Sequence, residues 1–111
     1  MFTFLLLVTF AEPPSITYLT TVNASYNEGS PFNISCTATG NPEPDVRWVH
    51  NGQAKSFGIY TIQFSLRKIS KADAGIYTCK ANNSAGSVEK HVNLEINCKY
   101  VNFHAVNMQI F

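Results

Sequence analysis

Between Pro13 and Asn97 the apolar side chains recur at every second residue. In SVEKHVNLEI, Val88, Val92, Leu94 and Ile96 share one face and Glu89, His91, Asn93 and Glu95 the other, with Lys90 intruding on the apolar phase. TIQFSLR sets Ile62, Phe64 and Leu66 against Thr61, Gln63, Ser65 and Arg67. PFNISCTA sets Phe32, Ile34, Cys36 and Ala38 against Asn33, Ser35 and Thr37, and DVRWVH alternates Val46 and Trp48 with Arg47 and Val49. Successive side chains of an extended chain point to opposite faces, so this period describes strands with one buried and one wet face. A helix would need an apolar stripe at 3.6 residues, and no segment sustains one beyond a turn or two.

Turn chemistry separates the runs: NEGSP, GNPEPD, HNGQ, SKADAG and NNSAG. Short strands at this spacing read as an all-β sandwich or barrel, with room in SKADAG for one short helical turn. The 111 residues bound the answer at one domain, near the size at which a single core holds unaided. Eight basic against seven acidic side chains leave no basic patch, so nucleic acid and anionic membrane surfaces are not expected partners.

The two ends differ from the middle. MFTFLLLVTF is an apolar run of the length of a signal-peptide core, and residues 1–11 read as a candidate secretory signal with cleavage after Ala11. It has no basic n-region, since Arg47 is the first positive side chain, and the rival reading is a truncated or artefactual chain start. The run is also about half the length of a spanning helix. At the other end, CKYVNFHAVNMQIF interrupts its apolar groups with Asn, His and Gln, which argues against a membrane span or a lipid-anchor signal. Residues 98–111 are therefore expected to be a non-domain tail, truncated or artefactual, and 12–97 the folded domain. Membrane attachment would come only through a larger parent protein.

Three cysteines, Cys36, Cys79 and Cys98, allow at most one pair within the chain. Cys36 lies on the inward phase beside Ile34 and Ala38, and Cys79 on the phase of Tyr77 and Ala81. Inward cysteines on strands of facing sheets can be bridged. Cys36, Trp48 and then Asp73-Ala-Gly75-Ile-Tyr77-Thr-Cys79 match a Cys…Trp…Asp-x-Gly-x-Tyr-x-Cys framework. On those residues the chain resembles an immunoglobulin domain. GNPEP before the tryptophan, HNG after it, and the run Cys79, Ala81, Asn83, Gly86 make it similar to the intermediate, or I-set, class over about residues 13 to 97. Val49 to Ile62 is too short for the two extra strands of a variable-type domain.

The resemblance implies a two-sheet Greek-key β-sandwich with one inter-sheet disulfide, Cys36–Cys79. Closing that loop stabilises by roughly 4 kcal/mol in the chain-entropy model. It implies that Trp48 packs on the bridge and that Tyr77 forms a tyrosine corner, bonding backbone in the turn before its strand. Gly75 would let that turn be tight, and Asp73 would accept backbone N–H groups in it. Asn83 and Gly86 suit a hairpin turn with positive φ. Cys98 has no framework role.

No catalytic constellation emerges. His50, His91 and His104 lack a Cys, Asp or Ser at triad or metal spacing, and Cys98 with His104 makes only two ligands. His91 falls on a polar phase, and His50 leads into the HNG turn. Asp73 and Tyr77 have framework jobs, and a paired, buried Cys79 is inert. The expectation is a non-enzymatic chain without metal, cofactor or small-molecule substrate.

Asn23, Asn33 and Asn82 begin Asn-x-Ser acceptor sequons, and Asn33 and Asn82 fall on outward phases. With the cysteine pattern they favour an oxidising, extracellular setting. The resemblance implies protein–protein recognition in adhesion or at the cell surface, homophilic or heterophilic. The alternatives are a ligand-binding module of a receptor-kinase-like or matrix protein, and a cytosolic muscle-type domain. The expected contact face carries Arg47, Val49, Ile76, Lys80 and His91, apolar and charged groups together on the outward side of one sheet.

Overall fold

The structure is a computed structural model, and it describes residues 10–21 and 25–97. Asn23, Cys98, His104, residues 1–9 of the candidate signal and the tail lie outside the described residues.

Nine strands are described: β1 (Glu12–Leu19), β2 (Tyr26–Asn27), β3 (Phe32–Asn41), β4 (Asp45–His50), β5 (Gln53–Ile59), β6 (Thr61–Leu66), β7 (Gly75–Asn83), β8 (Gly86–Leu94) and β9 (Ile96–Asn97). One sheet has the order β1-β3-β6 and the other β5-β4-β7-β8, all neighbours antiparallel. A short parallel pair, β2 with β9, sets Tyr26 beside Ile96. The strands read from alternation bury the residues that alternation assigned inward. Phe32, Ile34, Cys36, Ala38, Val46, Trp48, Ile62, Tyr77, Cys79, Ala81, Val92 and Leu94 form one core between the sheets. Phe64 and Leu66 pack against it half-buried.

Lys90 stays exposed on the inward phase of β8, an outer strand from which a long side chain can reach water. Two strands carry no clean alternation. β1 contains Pro13 and Pro14 and shifts register twice against β3. Proline has no N–H to donate, so this strand is an edge. β5, QAKSFGI, shifts register against β4 between Trp48 and Val49 and forms an edge of the other sheet. The helical turn appears as a 3-10 turn at Lys71–Asp73.

Candidate functional site

Cys36 and Cys79 are bonded across the sheets, S–S 2.01 Å, with Cα atoms 6.5 Å apart. Trp48 pairs with Cys79 across β4 and β7 and is fully buried, its Nε1 without a hydrogen-bond partner. The Tyr77 hydroxyl donates to the Asp73 carbonyl oxygen at 2.6 Å, and the Ser70 N–H donates to Asp73 Oδ2 at 2.7 Å. Burial, with the nearby Asp73 charge adding to it, pushes the Tyr77 phenol up to about 12. Gly75 sits at φ +121°, a region open to glycine and strained for other residues.

His50 lies deeper than its place before a turn implies. It is 4% exposed, stacked on the Tyr77 ring, with Nδ1 2.9 Å from the Ile76 carbonyl oxygen. Its alternation phase, shared with Val46 and Trp48, is the signal that could have found it. The expected positive φ in the β7–β8 hairpin belongs to Gly86, at +155°, and not to Asn83. Asn83 uses its side chain instead. Its Oδ1 accepts from the Ala85 N–H at 2.9 Å, and its Nδ2 donates to the carbonyls of Glu12 and Pro42 at 2.8 Å each. The side chain therefore makes the turn that a left-handed backbone would otherwise make.

The outward faces of the two sheets differ in chemistry. On β3 and β6 the outward residues are Asn33, Ser35, Thr37, Thr61, Gln63 and Ser65, all uncharged. Four of them bond across the strands: Thr37 with Thr61 at 3.1 Å, and Ser65 to Asn33 at 2.9 Å. The four-stranded sheet instead presents rows read from its register. Phe57, Arg47, Lys80 and Glu89 form one row, and Ile59, Asp45, Asn82 and Ser87 the next toward the β7–β8 hairpin. On the other side of the first row come Ala54, Val49, Thr78 and His91, then Ile76 with Asn93.

Arg47, Val49, Ile76, Lys80 and His91 thus share this face. His91 Nδ1 lies 2.8 Å from Thr78 Oγ1. Phe57 and Ile59 join the face unforeseen, because β5 lacks the alternation that marks a strand. They are 77% and 55% exposed, and Ile76 is 50% exposed. Ile59 and Phe57 are neighbours along β5, and Phe57, Val49 and Ile76 follow as diagonal neighbours, an apolar band across three strands. Beside it lies a shallow hollow of about 450 Å³ lined by Arg47, Lys80, Ala81, Asn82, Ser87, Val88 and Glu89.

Among the described residues no group of three or more His, Cys, Asp or Glu could hold a metal ion, and no helix is long and apolar enough to cross a membrane.

A sandwich of this topology, stapled between its sheets and closed by a tyrosine corner, defines an immunoglobulin-type domain. The family profile described as "Immunoglobulin domain" matches residues 13–83, and the chain belongs to that family. Peroxidasin homolog pxn-1 of Caenorhabditis elegans is 33% identical over 75% of this chain and 7% of its own length. Myosin-binding protein C, cardiac-type, of Gallus gallus is 35% identical over 78% of the chain and 7% of its own. Neural cell adhesion molecule 1-B of Xenopus laevis is 33% identical over 70% and 8%. The chain therefore spans a small fraction of these relatives. Among solved structures, the titin M10–obscurin-like 1 immunoglobulin complex aligns over 78% of this chain and 96% of the matched one, with TM-score 0.66 and 23% identity. That likeness concerns the fold. Domains of this family and fold are typically non-enzymatic.

Proposed function

We propose that the chain is a non-enzymatic extracellular recognition module, acting in cell adhesion or cell-surface recognition through the outward face of its four-stranded sheet. The observation that carries this reading is the contrast between the two faces. One carries uncharged polar groups on β3 and β6, two pairs of them bonded across the strands, with Tyr18 exposed on its edge strand β1. The other exposes Ile59, Phe57 and Ile76, with half-buried Val49 among them, beside Arg47, Lys80 and His91. An apolar centre with charged flanks is the composition of a protein contact surface. The kinship to a neural cell adhesion molecule supports it. So do the paired cysteines and the exposed sequon residues Asn33 and Asn82, which fit an oxidising, glycosylating compartment.

A module of a receptor or matrix protein would use the same contact chemistry. The kinship to myosin-binding protein C favours a second reading, a muscle-type domain in a reducing compartment. There Cys36 and Cys79 would remain thiols.

Two measurements on the full chain test the proposal. Made in secretory cells, it is expected in the medium with blocked Cys36 and Cys79, and with a glycosidase-sensitive mass that falls when Asn33→Gln or Asn82→Gln is introduced. Free thiols at both positions and an unshifted mass would favour the muscle-type reading. Clustered on beads, the chain should bind cell surfaces saturably. Val49→Ser with Ile76→Ser should abolish that binding, and unchanged binding would remove the face from the proposal.

A further inference from the structure

We propose that Asn51-Gly52, the turn between β4 and β5, is a site of covalent self-modification, where Asn51 loses its amide nitrogen, becomes isoaspartate and releases β5. Water is the only reactant. The Gly52 N–H gives its proton to water and its nitrogen bonds to Asn51 Cγ. The Cγ–Nδ2 bond breaks as the amide nitrogen takes up a proton and leaves as ammonia. Water then opens the five-membered imide. Opening at Cγ yields aspartate, and opening at the main-chain carbonyl yields isoaspartate, whose backbone runs through Cβ and Cγ.

This is the one Asn-Gly pair in the chain. Glycine has no Cβ to shield its nitrogen or restrict its backbone. Both residues are exposed, and nothing stands within 4 Å of where a Gly52 Cβ would be. The Gly52 N–H donates to no acceptor among the described residues. The Asn51 side chain is nearly as free, its Nδ2 meeting only His50 Nε2 at 3.4 Å, longer than an ordinary hydrogen bond. His50 Nδ1 lies 2.9 Å from the Ile76 carbonyl oxygen, so Nδ1 carries the proton and Nε2 offers a lone pair. A carboxylate formed at position 51 would face that lone pair acceptor to acceptor and turn out to water. Asn83-Ser84 is the internal comparison. Asn83 Nδ2 donates to two carbonyls and Oδ1 accepts from the Ala85 N–H, so imide formation there would break three good bonds.

Asn51 at φ +52° and Gly52 at φ +77° make a two-residue hairpin turn, with His50 paired to Gln53 across it. The reaction proceeds when this exposed tip frays. Turn type and loop length fix the register of a hairpin. Isoaspartate adds one backbone atom to the loop, which then no longer fits the pairing of His50 with Gln53. β5 is an edge strand that β4 alone holds in its sheet, and its register already shifts between Trp48 and Val49. Slippage there displaces Phe57 and Ile59. The functional consequence rests on the reading of this sheet as a contact face: the modification takes the β5 end of the apolar band out of it, so recognition declines as the chain ages.

Peptide mapping of the full oxidised chain, fresh and after ageing in mildly alkaline buffer, tests the site, with an isoaspartate-specific methyltransferase as the label. Isoaspartate should accumulate at position 51 ahead of any at position 83, with matching release of ammonia. Hydrogen exchange should quicken in the amides of Gln53–Ile59 of the aged wild type, while β7 and β8 stay protected. Asn51→Gly keeps a turn of the same kind and has no amide to lose, so ageing should leave it unchanged. Fresh Asn51→Asp, which has the carboxylate without the extra backbone atom, should exchange as fresh wild type does. An aged wild type without isoaspartate at position 51, or with more of it at position 83, would overturn the site. Isoaspartate at position 51 with β5 exchange unchanged would overturn the release of the strand. A released β5 with undiminished binding of the clustered chain to cells would leave the modification standing and count against the contact face alone.

Discussion

His50 lies flat on Tyr77, the ring centroids 3.9 Å apart and the planes within 2° of parallel. The Tyr77 hydroxyl holds the Asp73 carbonyl, and the same ring meets Phe32 and Phe64 at 5.5 and 5.8 Å. The tyrosine thus joins the 3-10 turn, both sheets and the start of the β4–β5 turn through one side chain. Removing any part of that joint should be measurable.

Tyr77→Phe keeps the ring and loses the hydroxyl bond, leaving the Asp73 carbonyl without that donor. Urea unfolding should show a loss of about 1–2 kcal/mol. The pH dependence should differ as well. The ordinary tyrosine value is 10.0 and the folded domain raises it to about 12. The native state therefore keeps a proton that the unfolded chain releases. This contribution is complete below the ordinary value and is lost as the pH rises through the folded one. Wild type should lose stability over that window more steeply than Tyr77→Phe, and parallel profiles would contradict the burial of the phenol.

Gly75→Ala should cost about 1–3 kcal/mol, because an alanine at φ +121° is strained. Its added Cβ would also stand 3.3 Å from His50 Cε1. In a His50→Ala background that contact vanishes while the backbone cost remains. The double variant should therefore lose less than the sum of the two single variants in thermal or urea unfolding.

Reduction of the Cys36–Cys79 bridge opens a sequence separation of 43 residues. The expected loss is about 4 kcal/mol, close to the whole net stability of a small domain. Unfolding monitored with and without a thiol reductant should show a large fall in midpoint. Cys36→Ala with Cys79→Ala should reproduce it and become insensitive to the reductant.

Asn83→Ala removes the donor to two carbonyls, Glu12 on β1 and Pro42 before β4, and the acceptor of the Ala85 N–H. Since the site is partly open to water, about 1–2 kcal/mol should be lost. Asn83→Asp keeps the acceptor and forfeits the donor, so it should be no better than alanine. Hydrogen exchange should quicken first in the amides of β1, whose N-terminal end this side chain ties down.

The alternation of Phe32-Ile34-Cys36-Ala38 and Val46-Trp48 determined the strands and their buried face, and the resemblance carried by Cys36, Trp48 and Asp73-Ala-Gly75-Ile-Tyr77-Thr-Cys79 implied the sandwich and its disulfide. The alternation is a local pattern that only one buried face can satisfy. The tyrosine corner was legible for the same reason, since Asp73, Gly75 and Tyr77 act within a few residues of one another. The phase of Val46 and Trp48 marked His50 as inward, but only the tertiary structure showed the Tyr77 ring, 27 positions away, that it stacks on. It also decided that Asn83 turns the hairpin with its side chain, since the Glu12 and Pro42 carbonyls come within reach only when β1 and the loop before β4 meet. Above all it made a strand of QAKSFGI. That segment has no period of its own and takes its direction from pairing with β4, and with that pairing Phe57 and Ile59 enter the face. Which side chains share a surface is fixed by register between strands distant in sequence, and a sequence shows only the register of a strand with itself.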